Sequence, residues 1–582
     1  MATAANNDAH FVKCLSPVSA PGQSERTRFQ RFEVSQSAQF ELSVQHFGVG
    51  EFLPSSCRIH ILPHSFITVA IMTSLDASGA HLSLASLRLG EVAANRQILF
   101  LPVLALLIYI LYQRYVSPLS KVPGPFLASF TNLWWLSTVL KGEQHLDCLR
   151  LHREYGPFVR IGPNQVMIAD PEAFKKIYGA GNNFQKSDFY KPFKAKLKWS
   201  LTAETDGHVH SQNRRMVSRP YSMDSIRSLE GFVEQVIEHF LEKMKPMTNR
   251  PFDLGEWLAL FAIGNITEIS FAKSFNYLDK GDADGILALS KVVFASANWV
   301  GVVPWVYRIH HLTSGWTGNW LGVTMRSIKF RALAQKKVQE HQLLQDENED
   351  HKSILGYLQD LRRKKPDEFS EYAMTSALTS NIFAGSDTTA IALRAMIYNL
   401  LSHPLYLQRF LHELKERQMM GEISDPIRLH EAEAWPFLQA IMYESLRLHP
   451  PFAAPLPRVV PQGGLVAKDV FLPPGTVVGT NAWAIHRRPE IFGDNVDEFC
   501  PERWMDSATK SELQRYFFAF GGGARTCLGR NIVWLEMSKF LPTLFMHFDL
   551  KLVDPKAPMP VKNIFLAFQE GPYVIMTDKG GE

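Results

Sequence analysis

The chain has 582 residues, 46% of them hydrophobic and 20% charged, and a formal net charge of +4. These are globular values, and so small a charge without a basic tract excludes a nucleic-acid-binding surface. Its five cysteines (Cys14, Cys57, Cys148, Cys500 and Cys527) are scattered and contain no Cys-x-x-Cys, which excludes a disulfide framework, a structural zinc site of that spacing and a thiol–disulfide redox pair.

Residues 1–95 are poorly periodic and read as an unassigned N-terminal extension. Met72 is an alternative start, which would make the part before it a gene-model artefact. Ile98 to Tyr112 is apolar and lies between Arg96 and Arg114, near the lower length of a membrane span, about 17 residues. Tyr109, Tyr112 and Tyr115 suit an interface, and Arg114 and Lys121 a cytoplasmic side. No small-residue cleavage site follows, so residues 96–116 read as a transmembrane anchor rather than a signal peptide or core helix. Val122-Pro123-Gly124-Pro125 is then a stiff turn leading into a domain over 117–582.

Helical patterns dominate that domain. Leu254 to Phe271 reads as a buried helix, since Glu256, Asn265 and Glu268 argue against a second span. Val292 to Tyr307 is aromatic and broken by Gly301 and Pro304; it is core, or a surface loop dipping into a membrane. Ser370 to Leu401 keeps a helical period without proline and predicts a rod of roughly 45 Å. Midway it carries Ala384-Gly385-Ser386-Asp387-Thr388-Thr389, poor helix formers that predict a local distortion. Trp435 to Leu448 predicts a helix with Glu444 and Arg447 paired on one buried face. Short strand-like runs (456–460, 470–472, 476–479) predict a small β region late in the chain. Near the end, Phe520 to Gly529 sets Cys527 among glycines, with Arg525 two residues before it and a helical pattern after it. Inward-turned amides, the helix N-terminus and Arg525 would all favour a thiolate there, as metal ligand or as nucleophile.

Taken in this order, these motifs resemble a cytochrome P450. Phe520, Gly523, Arg525, Cys527 and Gly529 match every fixed position of the family's haem-binding loop. Glu444-Ser445-Leu446-Arg447 matches its Glu-x-x-Arg helix, Ala384 to Thr389 its oxygen-activation segment, and Pro501-Glu502-Arg503-Trp504 the segment whose arginine joins the Glu-x-x-Arg pair. The anchor and Pro-Gly-Pro match the microsomal form. Stretches such as 123–130, 152–156, 159–164 and 186–190 are most similar to fungal members of the pisatin demethylase type.

The resemblance implies a mainly α fold with a long central helix, a small β region and an N-terminal membrane anchor, binding haem b. Cys527 is implied as axial iron ligand, with Phe520 shielding the sulfur. Arg525, His210, Arg214 and Arg458 are implied as partners of the haem propionates. Asp387 and Thr388 are implied as the proton-delivery pair, and Glu444, Arg447 and Arg503 as structural. The activity implied is a monooxygenase that inserts one atom of O2 into an apolar small molecule, in fungal secondary metabolism or detoxification. Electrons would come from NADPH through a separate reductase, since no flavin or nicotinamide domain follows the cysteine loop. The location implied is the endoplasmic reticulum membrane, single-pass, with the catalytic domain facing the cytoplasm. A haem-thiolate peroxide isomerase or dehydratase, and a non-enzymatic haem sensor, are the rival readings. The pocket is expected from the segment before His210, from Phe383 and Ala384, from Pro451 to Pro455 and from part of 292–307.

Overall fold

A computed structural model describes residues 96–194, 197–321, 323–342 and 353–580; the reading of 1–95 lies outside them. Residues 100–582 hold all described elements apart from the first residues of α1. The helices that position the site are α1 (Arg96–Leu111), α2 (Gly207–Val217), α3 (Leu254–Phe271), α4 (Ile286–Val302), α5 (Pro304–Thr317), α6 (Glu371–Ser402), α7 (Pro436–Leu448) and α8 (Arg530–His547).

The apolar helix α1 continues into one π-helical turn at Tyr112–Val116, so helix and π-turn end where the sequence predicts. Its 16 residues rise about 24 Å against a hydrocarbon core of about 30 Å. Among the described residues no single helix is long and apolar enough to cross a membrane. Its apolar side chains, Leu101, Leu106, Ile108 and Leu111 among them, are exposed. The end of the rod is tied to the body. Buried Arg160 donates to the Gln113 carbonyl (2.8 Å), to Gln113 Oε1 (2.8 Å) and to the Pro163 carbonyl (2.7 Å). Tyr109 Oη donates to the Phe130 carbonyl at 3.2 Å.

The axis of the domain is α6, 32 residues long, which begins where Ser370 Oγ caps the Ala373 amide. It runs antiparallel to α3. Arg394 donates to the Gly255 carbonyl near one end and Asn381 to Ser270 near the other. Between these contacts Gly385 lets the helices approach: a Cβ there would lie 2.6 Å from Ile266. The expected distortion at 384–389 is absent. The helix continues unbroken, and Ser386 and Thr388 are accommodated in it with their hydroxyls bonded back to the carbonyls of Ile382 (2.9 Å) and Ala384 (2.5 Å). The predicted break near Gly301 and Pro304 is real: α4 and α5 meet at 105°, with Pro304 in the first turn of α5, where its missing N–H costs nothing.

Five short strands make the main sheet: β1 (Phe158–Gly162), β2 (Gln165–Ile168), β3 (Gln185–Lys186), β4 (Arg458–Val459) and β5 (Val477–Gly479), in the order β1-β2-β5-β4-β3. The β region is therefore late only in part. Early strands β1 to β3, one of them buried at every residue, complete it. In the antiparallel pair β3–β4, Lys186 stands opposite Arg458.

The Glu-x-x-Arg pair sits on α7, with both residues 0% exposed. Arg447 meets both Glu444 carboxylate oxygens at 2.8 Å and donates to the carbonyls of His486 (3.0 Å), Val496 (2.6 Å) and Glu498 (2.9 Å). Glu444 also accepts from Arg503 (2.9 Å), the Trp504 indole (2.8 Å) and the Cys500 amide (2.9 Å). Burial would raise the Glu444 carboxyl, but Arg447, Arg503 and the Cys500 amide outweigh it and hold it below its ordinary value.

Candidate functional site

The loop before α8 is shaped by backbone contact. Gly521 and Gly523 have positive φ (69° and 58°), and a Cβ on Gly523 would lie 2.7 Å from the carbonyl oxygens of Tyr178 and Gly179. Only glycine fits both demands. The Cys527 amide donates to the Phe520 carbonyl at 2.8 Å and the Thr526 amide to Gly523 at 3.1 Å. The loop is joined to the Glu444 network by His486. Its Nδ1 lies 3.0 Å from the Arg447 carbonyl, and its Nε2 accepts the Phe518 amide at 2.7 Å. Burial lowers the His486 pKa to about 3, so the ring is neutral and takes both roles at once.

The Cys527 side chain is exposed although the loop lies within the body of the domain. Burial among surrounding groups raises its thiol pKa; the amides of Gly529 and Arg530 and the guanidinium groups of Arg214 and Arg530 oppose that rise. Coordination to a metal deprotonates such a thiol outright. Arg525 was expected to steady the thiolate, and here the structure differs. Its guanidinium turns to the carbonyls of Glu204 (2.7 Å), Thr205 (3.5 Å) and Asp206 (3.4 Å), where Asp206 caps α2. Arg214 instead braces the loop, donating to the Thr526 carbonyl at 2.7 Å. Phe520 packs 6.2 Å from Trp534, with Arg530 over its ring at 5.8 Å.

Beside the loop is a group of basic side chains poor in counter-charge. His210 and Arg458 are buried. Burial, then Arg525, Lys186, Arg214 and Arg458, lower the His210 pKa to about 3. Burial, then Arg458 and Arg525, push the Lys186 ammonium well below its usual value. Burial and Arg458 bring Arg525 to about 10. Arg458 donates to Tyr190 Oη (3.2 Å) and to the Leu456 and Pro457 carbonyls. Glu204, the one carboxylate close by that acts on both Lys186 and Arg525, is already paired with Lys194 at 2.6 Å. Two cations directly opposite in a strand pair destabilise it. A ligand carrying carboxylates reverses the sign of that term, so this constellation fits the propionates of haem as the cysteine fits its iron. The sequence had offered Arg525, His210, Arg214 and Arg458; it missed Lys186, whose one signal was its place in a two-residue strand.

On α6 the side chain of Ala384 is exposed within the domain, and Thr388 is half-buried. Asp387 points elsewhere. Buried at 3% exposure, it accepts a hydrogen bond from Ser290 of α4 and lines a cavity of about 330 Å³ with Glu256, Asp282, Lys291 and Arg394. Burial pushes its carboxyl up to about 6, against Ser290, Lys291 and Arg394. The adjacent residues Asp387 and Thr388 thus lie on different sides of the helix. Sequence reasoning also missed Glu536 of α8. It accepts from Thr389 Oγ1 at 3.0 Å, its other oxygen has no partner, and burial pushes it to about 8.

An aromatic chain links the cations to Ala384. Arg458 meets Tyr190; Phe189 packs 5.3 Å from Tyr190 and 5.9 Å from Phe565; Phe565 lies 6.0 Å from Phe294; Phe294 stacks 4.2 Å from Phe383. Phe452 joins Phe565 edge-on at 5.3 Å. The predicted lining residues Phe383, Phe452 and Phe294 are thereby brought together.

Residues 122–576 match the family model described as Cytochrome P450. The chain is 39% identical to the cytochrome P450 monooxygenase hepC of Aspergillus oryzae, over 77% of this chain and 90% of that protein. It is 34% identical to a cytochrome P450 monooxygenase of Aspergillus terreus (74% and 90%) and 33% identical to the cytochrome P450 monooxygenase cicH of Emericella nidulans (80% and 94%).

Proposed function

Because the chain belongs to the cytochrome P450 family and is a haem-thiolate monooxygenase, we propose that Cys527 is its iron ligand and that the donor group of Lys186, His210, Arg458, Arg525 and Arg214 receives the haem propionates. The observation that carries this is the pairing of an accessible Cys527 with a neighbouring site where Lys186 stands directly opposite buried Arg458. When bound, thiolate-ligated haem supplies activation of O2, so that one oxygen atom enters the substrate and the other leaves as water.

The chain's own residues do the rest. The Gly529 and Arg530 amides moderate the charge on the sulfur. Ala384, being small, leaves space beside α6. Asp387, poised near pH 6 in a cavity it shares with Glu256, Lys291 and Arg394, is the proton-exchanging carboxyl, and the Thr388 hydroxyl is the proton-holding group on the neighbouring face of α6. The Phe383–Phe294–Phe565 wall binds an apolar substrate and excludes water. The similar monooxygenases are fungal, which supports a fungal setting, and the family resemblance implies secondary metabolism or detoxification there.

Electrons come from NADPH through a separate reductase, by resemblance to the microsomal form. Membrane attachment is supported by two exposed apolar faces: α1, and Trp305, Ile309, Leu312 and Trp316 along one side of α5. Both are fastened to the segment 130–132. Phe130 accepts from Tyr109, and Asn132 donates to Val302 at the bend (3.2 Å). The reading is endoplasmic reticulum attachment through 96–116 with the domain over 117–582 on the cytoplasmic side.

The test is the CO adduct of the reduced holoprotein. A red-shifted Soret band in the wild type and its loss in Cys527→Ser are expected; a band unmoved by that substitution refutes the ligand. Product formation strictly dependent on NADPH and reductase is expected, and turnover without them would favour a peroxide isomerase.

A further inference from the structure

One residue of α4 stands among the aromatic rings without a hydrogen bond. Phe294 of that helix lies against Phe383 and Phe565. Gly301, two turns on, is so close to Phe189 that a Cβ would fall 2.7 Å from its ring. Positions 294, 298 and 301 share one helical face, so Asn298 sits between these two aromatic contacts. It is 0% exposed, and neither its Oδ1 nor its Nδ2 has a partner. A buried amide with donor and acceptor both unmet is destabilising. Leucine has the same branched heavy-atom skeleton and carries no polar atom to leave unmet. A group kept in this state, on the wall assigned to substrate, has its partner in the substrate.

We propose that Asn298 is a specificity-determining residue that hydrogen-bonds a carbonyl or hydroxyl group on a flat, otherwise apolar substrate stacked along Phe294, Phe383 and Phe565. The proposal rests on the reading above that the space beside Ala384 receives the substrate. Phe383 and Phe294 stack with 25° between their planes, an arrangement that a planar ring system extends. The amide donates and accepts, so it accommodates either oxygen function and disfavours a bare hydrocarbon, which leaves it unmet.

The experiment titrates reconstituted holoenzyme with fluorene and with 9-fluorenone, two planar frames that differ in one carbonyl, and follows the haem spectral shift. Wild type is expected to bind the ketone about tenfold more tightly than the hydrocarbon, the worth of one well-made buried hydrogen bond. Asn298→Leu is expected to lose the preference and bind both probes equally. Asn298→Ala keeps the test open where leucine does not pack; it too is expected to lose the preference. Equal binding of the two probes by wild type, or a preference that survives both substitutions, overturns the proposal. Absence of the red-shifted CO band from every protein, wild type included, would instead sink the haem-thiolate reading beneath it.

Discussion

Replacing Glu536 by glutamine isolates one buried proton. The carboxyl is 1% exposed, its Oε2 accepts from Thr389 at 3.0 Å, and burial lifts its pKa from 4.5 to about 8. The folded chain therefore holds a proton at neutral pH that the unfolded chain releases. The native state binds the more protons between the two pKa values, so the linkage slope is negative. Stability falls as pH rises through that window and is level above about 8. At about 1.4 kcal/mol per pKa unit, wild type loses roughly 2 kcal/mol between pH 6 and 8 from this group alone. Glu536→Gln keeps the shape and the Thr389 bond but has nothing to titrate. The assay is denaturant unfolding of holoenzyme at pH 6, 7 and 8, taking the difference between variant and wild type at each pH so that Asp387 and the histidines cancel. The variant is expected to gain on wild type by about 2 kcal/mol across the series. A constant difference would refute the argument that burial keeps Glu536 protonated.

Glu444→Gln strips Arg447 of its counter-charge in a fully buried site, and a loss of about 3–5 kcal/mol is expected by denaturant unfolding; a loss below about 1 kcal/mol would mean that the three carbonyls around Arg447 suffice. Lys186→Met should speed haem transfer to apomyoglobin by roughly tenfold, one charge-assisted bond being removed, while an unchanged transfer rate would remove Lys186 from the propionate group. Thr388→Ala should keep haem and its CO band yet consume NADPH with little product; undiminished coupling, measured as product formed per NADPH, would count against the proton role.

Residues that act through neighbours in sequence were legible. The cysteine loop declares itself within ten positions, α3 carries its boundaries in an apolar run, and α6 opens at Ser370 because a serine there caps a helix. Residues that act through distant partners were not. Lys186 has meaning only opposite Arg458, His486 only between Arg447 and Phe518, and Glu536 only under Thr389. Each is a lone polar residue in an unremarkable stretch, and no period or spacing marks it. Arg525 shows the opposite error. Its closeness to Cys527 in sequence predicted an electrostatic partnership, but the chain turns between them and the carbonyls of residues 204–206, just before α2, take the guanidinium. The helix distortion expected at Ser386 and Thr388 is absent, and each hydroxyl is bonded back to a carbonyl of its own helix.

The obstacles that meet a Cβ at Gly523 are main-chain carbonyl oxygens of Tyr178 and Gly179, and those at Gly522 include the same Tyr178 carbonyl. Main chain cannot be repacked by changing a neighbouring residue, so no second substitution rescues a change at Gly523. The Phe294, Phe383 and Phe565 wall is built from side chains alone, and there one replacement is compensated by another. Inherited variation, or a directed-evolution library, therefore has two unequal territories in this one domain. One fixes the reaction and admits almost no alternatives; the other is open to search and can exchange one substrate for the next without touching the first.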